Sequence, residues 1–205
     1  IEGVPVYKVR KKLGEYLVKE AYIEADYVIP VPDSGRGAAI GYSQRSNIPL
    51  EEGFQLDRYQ YKRIFILPEQ TEREKKATKK LNVLPLAVKG KKIVIVDDSI
   101  VRGTNMRKMC IKKLRKAGAN EIHVRVSCPP LVDRCPYGID FHQGELIASK
   151  HIGKDHEEIC KKVGKELGAD SLYYNTIPDL INSIGLPKED LCLGCLTSNY
   201  PNITR

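Results

Sequence analysis

Two adjacent carboxylates, Asp97 and Asp98, followed by Ser99-Ile100-Val101-Arg102-Gly103-Thr104, are the residues of this chain best suited to chemistry. Paired carboxylates can bind sugar hydroxyls, or act through a magnesium ion and its water shell. Ser99, Gly103 and Thr104 add hydroxyls and a flexible backbone at what reads as a helix N-terminus, a favourable place for a phosphate dianion. Alone, two carboxylates would repel such a ligand, so hydroxyls or a metal must stand between. The plainer alternative is an ordinary strand–turn–helix with an acidic turn, and these residue types fit it equally well.

The elements that position this stretch can be read on either side of it. Ile93-Val94-Ile95-Val96 is a short β-branched run bounded by lysines, the pattern of a strand buried on both faces of a parallel sheet. After Thr104, the residues Met106, Met109, Cys110 and Leu114 recur at helical spacing, with Gly118 as a stop. In an open α/β sheet, ligands gather beyond the carboxyl ends of the strands, where this turn falls.

A second unit of the same kind lies upstream. Residues 5–25 read as an amphipathic helix on Val6, Val9, Leu13, Leu17 and Ala21, and 26–32 as a strand. That strand ends in Asp33-Ser34-Gly35, and a helix begins near Gly37. The loop Val31-Pro32-Asp33-Ser34-Gly35 is a plausible but unspecific anion loop. Downstream, Ile122, Val124 and Val126 alternate as a strand, 154–167 reads as a helix, 171–174 as a strand and 177–184 as a helix. The alternation predicts an α/β fold, a mostly parallel sheet flanked by helices, in one domain over residues 1–205.

Composition narrows the classes. A chain of 205 residues can bury a sizeable core, and 41% hydrophobic with 29% charged residues is ordinary for a soluble protein. No apolar run approaches a membrane span and no signal-peptide pattern opens the chain, so no membrane partner and a cytoplasmic location are expected. The net charge of +8 is spread over several lysine-rich stretches that read as solvated helix faces; no nucleic-acid motif accompanies them. A positive field also suits a polyphosphate substrate. Six cysteines without a secretion signal point to thiols or metal ligands rather than disulfides.

The string VIVDDSIVRGT resembles the phosphoribosyl pyrophosphate (PRPP) motif of the type I phosphoribosyltransferases. In this form it is most similar to the glutamine PRPP amidotransferases. VYKVRKKLGEYLVKE, DYVIPVPDSGRGAAIGY and, further on, PYGID and ELIA follow the same family. The resemblance implies the type I phosphoribosyltransferase fold and transfer of ammonia to PRPP, with release of pyrophosphate, in the first step of purine synthesis. It implies Asp97 and Asp98 on the ribose hydroxyls and on magnesium, Ser99 to Thr104 around the 5′-phosphate, and Val31 to Gly35 as the pyrophosphate loop. A charged stretch, EQTEREKKATKKL, matches the family's closing loop, with Arg73 and Lys80 as its catalytic cations. Closing would exclude water from a reactive ribosyl cation. Residues 56–66 depart from the family pattern: Leu56 replaces a lysine, a glycine is absent and one residue is inserted.

The family draws its ammonia from a glutaminase domain, which is expected to lie outside residues 1–205 as an N-terminal domain or subunit; a homo-oligomer is also expected. Cys110 and Cys160 lie on apolar helix faces and read as core. Cys135, Cys192 and Cys195 match family positions that hold an iron–sulfur cluster, with the fourth ligand upstream of Ile1. Two other readings stay open: a PRPP-binding regulator without catalysis, and a nucleobase-salvage phosphoribosyltransferase. Use of ammonium would separate enzyme from sensor, and use of a free base would mark salvage.

Overall fold

The computed structural model describes residues 2–56, 81–138 and 145–201. In chain order the elements are α1 (Val6–Ala21), β1 (Tyr27–Pro30), α2 (Arg36–Ser46), β2 (Phe54–Leu56), β3 (Leu81–Val83) and α3 (Pro85–Val88). Then come β4 (Lys92–Asp97), a π-turn (Met106–Ile111) running into α4 (Lys112–Lys116), β5 (Glu121–Val126), α5 (His156–Leu167), β6 (Ser171–Tyr174), α6 (Ile177–Ile184) and α7 (Gly194–Thr197). Strands β1, β4, β5 and β6 form one parallel sheet in the order β1-β4-β5-β6. Strands β2 and β3 form a separate antiparallel pair, with Leu56 opposite Leu81.

Residue alternation distributes the sheet between two cores. Val28, Val94 and Val96 face α1 and α2, where they pack with Leu17, Ala38 and Tyr42. Ile29, Ile93 and Ile95 face the opposite side, with Ile122, Val124, Leu114, Ile159 and Val163. Both faces are thus covered, as a parallel sheet requires. Cys110 and Cys160 are buried there as expected.

The alternation in β5 carries a surprise: its polar residues are buried too. His123 and Arg125 are both 3% exposed. The Arg125 guanidinium donates to Ala21 O at 2.9 Å, at the end of α1, and to Val124 O and Ser171 Oγ. Placing a cation on the carbonyl end of a helix is electrostatically favourable, and it ties α1 to the sheet. His123 bonds Ser171 Oγ through Nδ1 and Glu121 through Nε2.

The expected helices at 154–167 and 177–184 form as α5 and α6. Asp155 caps α5, accepting from Glu158 N, and Gly168 ends it with φ +79. Thr176 and Asp179 form a capping box at α6. The helix expected from Thr104 is not wholly α-helical, because a π-turn occupies Met106–Ile111. All of the charged stretch except Leu81, and with it Arg73 and Lys80, lies outside the described residues. Among the described residues, no helix is long and apolar enough to cross a membrane.

Candidate active site

The carboxyl ends of β1 and β4 lie side by side, with Pro30 registered against Val96. The loops that leave them therefore open into one cleft, of about 520 Å³. Its walls are Val31, Pro32 and Ser34 from the first loop and residues 97–106 from the second, with Leu56 and Leu81 at the rim. The eight residues Asp97 to Thr104 singled out in the sequence all reach this space.

The first loop is set largely by backbone. Val31 N donates to Val96 O at 2.8 Å and Gly35 N to Val31 O at 3.0 Å; the Pro32–Asp33 peptide is cis. A Cβ on Gly35 would sit 2.3 Å from Val96 O, so only glycine lets the loop lie this close to β4. Of the five residues expected to bind pyrophosphate, Val31, Pro32 and Ser34 line the cleft and Gly35 packs beneath it. Asp33 is exposed, and its carboxylate lies 3.5 Å from Arg36 Nε. Arg36 also makes a two-pronged contact with Glu52, just before β2.

The second loop is organised around its carboxylates. Asp97 Oδ1 accepts from Asp98 N at 2.9 Å. Asp98 Oδ1 accepts from Ser99 N at 2.9 Å and from Ser34 Oγ at 3.0 Å, which joins the two loops across the cleft. Behind them Ser127 N and Cys128 N donate to Asp97 O and Asp98 O, extending the β4–β5 ladder past the strand ends. Ile100 is buried and anchors the loop, and Ile147 N donates to Val101 O. Gly103 adopts φ +74 with its α-carbon against Ile147 and Leu167, where a Cβ would lie 2.7 Å from each side chain.

Burial and, next, the charge of Asp98 push the Asp97 carboxyl well above the usual carboxylate range. Two adjacent carboxylates, one of them buried, repel each other. Hydroxyl donors or a divalent cation would relieve the repulsion. The donor set fits magnesium: two carboxylates suffice where water and substrate oxygens complete the octahedron. Among the described residues, no three His, Cys, Asp or Glu side chains are gathered so as to hold a metal by themselves.

Cys135, Cys192 and Cys195 come from two segments that meet. They are near neighbours: burial first, then the charges of Cys135 and Cys192, raise the Cys195 thiol. Cys195 O also accepts from Val132 N and Asp133 N, which ties the two segments together. Yet the three sulfurs do not form a metal-holding group.

Sequence reasoning missed the rim. Leu56 had been noted only as a departure from a family lysine, and the pairing of β2 with β3 brings it opposite Leu81. No local signal joins residues so far apart; the β-propensity of Phe54-Gln55-Leu56 was the one available hint.

No family model matches the chain. It is 47% identical over 202 residues to an amidophosphoribosyltransferase of Methanocaldococcus jannaschii, covering 98% of this chain and 41% of that protein. It is 43% identical over 207 residues to the amidophosphoribosyltransferase of Bacillus subtilis, with the same coverage. Among solved structures, the glutamine PRPP amidotransferase of B. subtilis complexed with ADP and GMP superposes with a TM-score of 0.82 at 44% identity, over 98% of this chain and 43% of that one. A structure described as the allosteric regulatory enzyme of purine biosynthesis gives the same score at 43% identity, over 98% of this chain and 42% of that one. The chain spans about two-fifths of the length of the relatives it matches. Over nearly its whole length the chain is therefore similar to part of the amidophosphoribosyltransferases, and it has the phosphoribosyltransferase fold.

Proposed function

We propose that the cleft binds PRPP and transfers its phosphoribosyl group to ammonia, releasing pyrophosphate and forming 5-phosphoribosylamine. The observation that carries this reading is the meeting of the two loops in one cleft, with Ser34 Oγ on Asp98 Oδ1 at 3.0 Å. A ligand carrying a phosphate at each end of a ribose finds an anion loop at either side and carboxylates between.

In this reading Asp97 and Asp98 accept the ribose hydroxyls, and the backbone and hydroxyls of 99–104 receive the 5′-phosphate. Val31 N and Gly35 N are bonded to carbonyls, so the pyrophosphate meets the loop at Asp33 and Ser34. Bound magnesium would neutralise charge on the departing pyrophosphate. The reaction needs no strong base, because the transition state resembles a ribosyl cation and positioning with charge stabilisation supplies much of the acceleration. The rest of a full-length protein would supply ammonia from glutamine, so these residues alone use free ammonium. The arrangement of Cys135, Cys192 and Cys195 lends no support to an iron–sulfur cluster, and the proposal includes none.

The test is pyrophosphate release from PRPP by the purified chain. Release that requires both ammonium and magnesium, with no hydrolysis of glutamine, is expected. Absence of PRPP binding by calorimetry would overturn the reading. Binding without turnover would favour the regulator, and turnover with a free nucleobase the salvage enzyme.

A further inference from the structure

The helix that follows the phosphate loop is opened by one residue. Lys112 N donates to Arg107 O, five residues back, and the buried residues Met106, Cys110 and Ile111 fall at spacings of four and five. An uninterrupted α-helix would carry the next side chains round by roughly 100° more. The π-turn therefore sets which side chain of α4 meets the rim of the cleft, and that side chain is Lys113. Its Nζ donates to Leu81 O, the first carbonyl of β3. Leu81 is buried, stands opposite Leu56, and both line the cleft; Lys113 does not line it. The pair β2–β3 lies outside the four-stranded sheet, which reaches it only through the bridge of Val28 to Leu50, four residues before Phe54. Packing of Phe54 and Leu81 into the core supplies apolar cohesion but little direction. A hydrogen bond from the helix to the strand supplies direction.

We propose that Lys113 is a positioning residue: by holding β3 it fixes Leu56 and Leu81 against the mouth of the cleft and sets its affinity for PRPP without touching the ligand. The ligand in this statement rests on the function proposed above, whereas the anchoring of β3 does not. Burial lowers the Lys113 pKa, in keeping with an ammonium drawn partly out of water for its position.

The experiment compares the wild-type chain with Lys113→Met and Lys113→Arg by amide hydrogen exchange of residues 81–83, melting temperature, and calorimetry with magnesium and PRPP. Lys113→Met is expected to speed exchange in β3 and to weaken PRPP binding roughly three- to tenfold, the range for one lost hydrogen bond. Lys113→Arg should restore both. Unchanged exchange in Lys113→Met overturns the anchoring, and unchanged affinity despite faster exchange overturns the positioning role. Wild-type chain that takes up no PRPP overturns the functional reading instead, and exchange then still decides the anchoring. Should Lys113→Met fail to fold, Lys113→Gln, a neutral donor of shorter reach, carries the same comparison.

Discussion

The two loops that make the cleft leave neighbouring parallel strands in the same direction, yet they are built on different principles. The loop after β1 is a backbone device. Its shape comes from Val31 N on Val96 O and from the contact of Gly35 with the same carbonyl, while its acidic side chain, Asp33, turns outward to Arg36. The loop after β4 is a side-chain device, with Asp97 and Asp98 held in the cleft by N–H and hydroxyl donors. Its glycine packs against the ends of Ile147 and Leu167, which can yield in a way a carbonyl cannot. A loop that must approach an anion through its amides needs a fixed path, and a loop that must recognise a ribose needs particular side chains.

The largest effect should come from removing the second loop's chemistry. Asp97→Asn with Asp98→Asn is expected to weaken PRPP binding by at least about a hundredfold, since hydrogen bonds to charged groups contribute about 1.5–3 kcal/mol each. Calorimetry on folded protein checks this, and affinity within threefold of wild type would remove these residues from the site.

Glycine substitutions sharpen the contrast between loops. Gly35→Ala forces a Cβ to within 2.3 Å of Val96 O and 2.8 Å of Val31 O, both backbone. The loop must move, with a loss of about 1–3 kcal/mol in stability and a weaker hold on pyrophosphate. Gly103→Ala meets only side-chain ends but keeps φ +74, a strain of about 1–2 kcal/mol. Urea unfolding and pyrophosphate inhibition should rank Gly35→Ala as the more damaging change. The reverse order would mean that the first loop is the more pliant.

The smallest effect is a gain. Burial and the Asp98 charge raise the folded pKa of Asp97 above its unfolded value of about 3.9. The folded state therefore holds the proton more tightly. Stability is complete below the unfolded value, where both states are protonated, and is lost as pH rises through the folded value. Asp97→Asn alone should then raise the melting temperature of the unliganded chain at neutral pH. The advantage should vanish on titration to about pH 3, below both values. A variant that is less stable at neutral pH would show that the carboxylate is better solvated than the geometry implies.

Residues close in sequence determined a good deal by themselves. The run Ile93–Val96 reads as an inner strand, because four β-branched residues in succession leave no polar face for water. Asp97 to Thr104 then had to leave its carboxyl end, and all of these residues reach the cleft. Helices α5 and α6 were legible because their periodicity, caps and stop glycines fall within one short window. What the tertiary structure decided lies in contacts between distant residues. Asp33 belongs to a recognisable anion loop, but Arg36 draws its carboxylate away from the cleft. Ile122, Val124 and Val126 alternate like a half-exposed strand, yet β5 lies inside the sheet, so His123 and Arg125 are buried against α1 and β6. Met106 to Leu114 scans as an α-helix, whereas the backbone takes a π-turn that aims Lys113 at Leu81. Cys135, Cys192 and Cys195, far apart in sequence, meet as neighbours. Local pattern specifies which face of an element is apolar; only packing specifies what stands opposite that face, and direction, distance and charge at a site depend on what stands opposite.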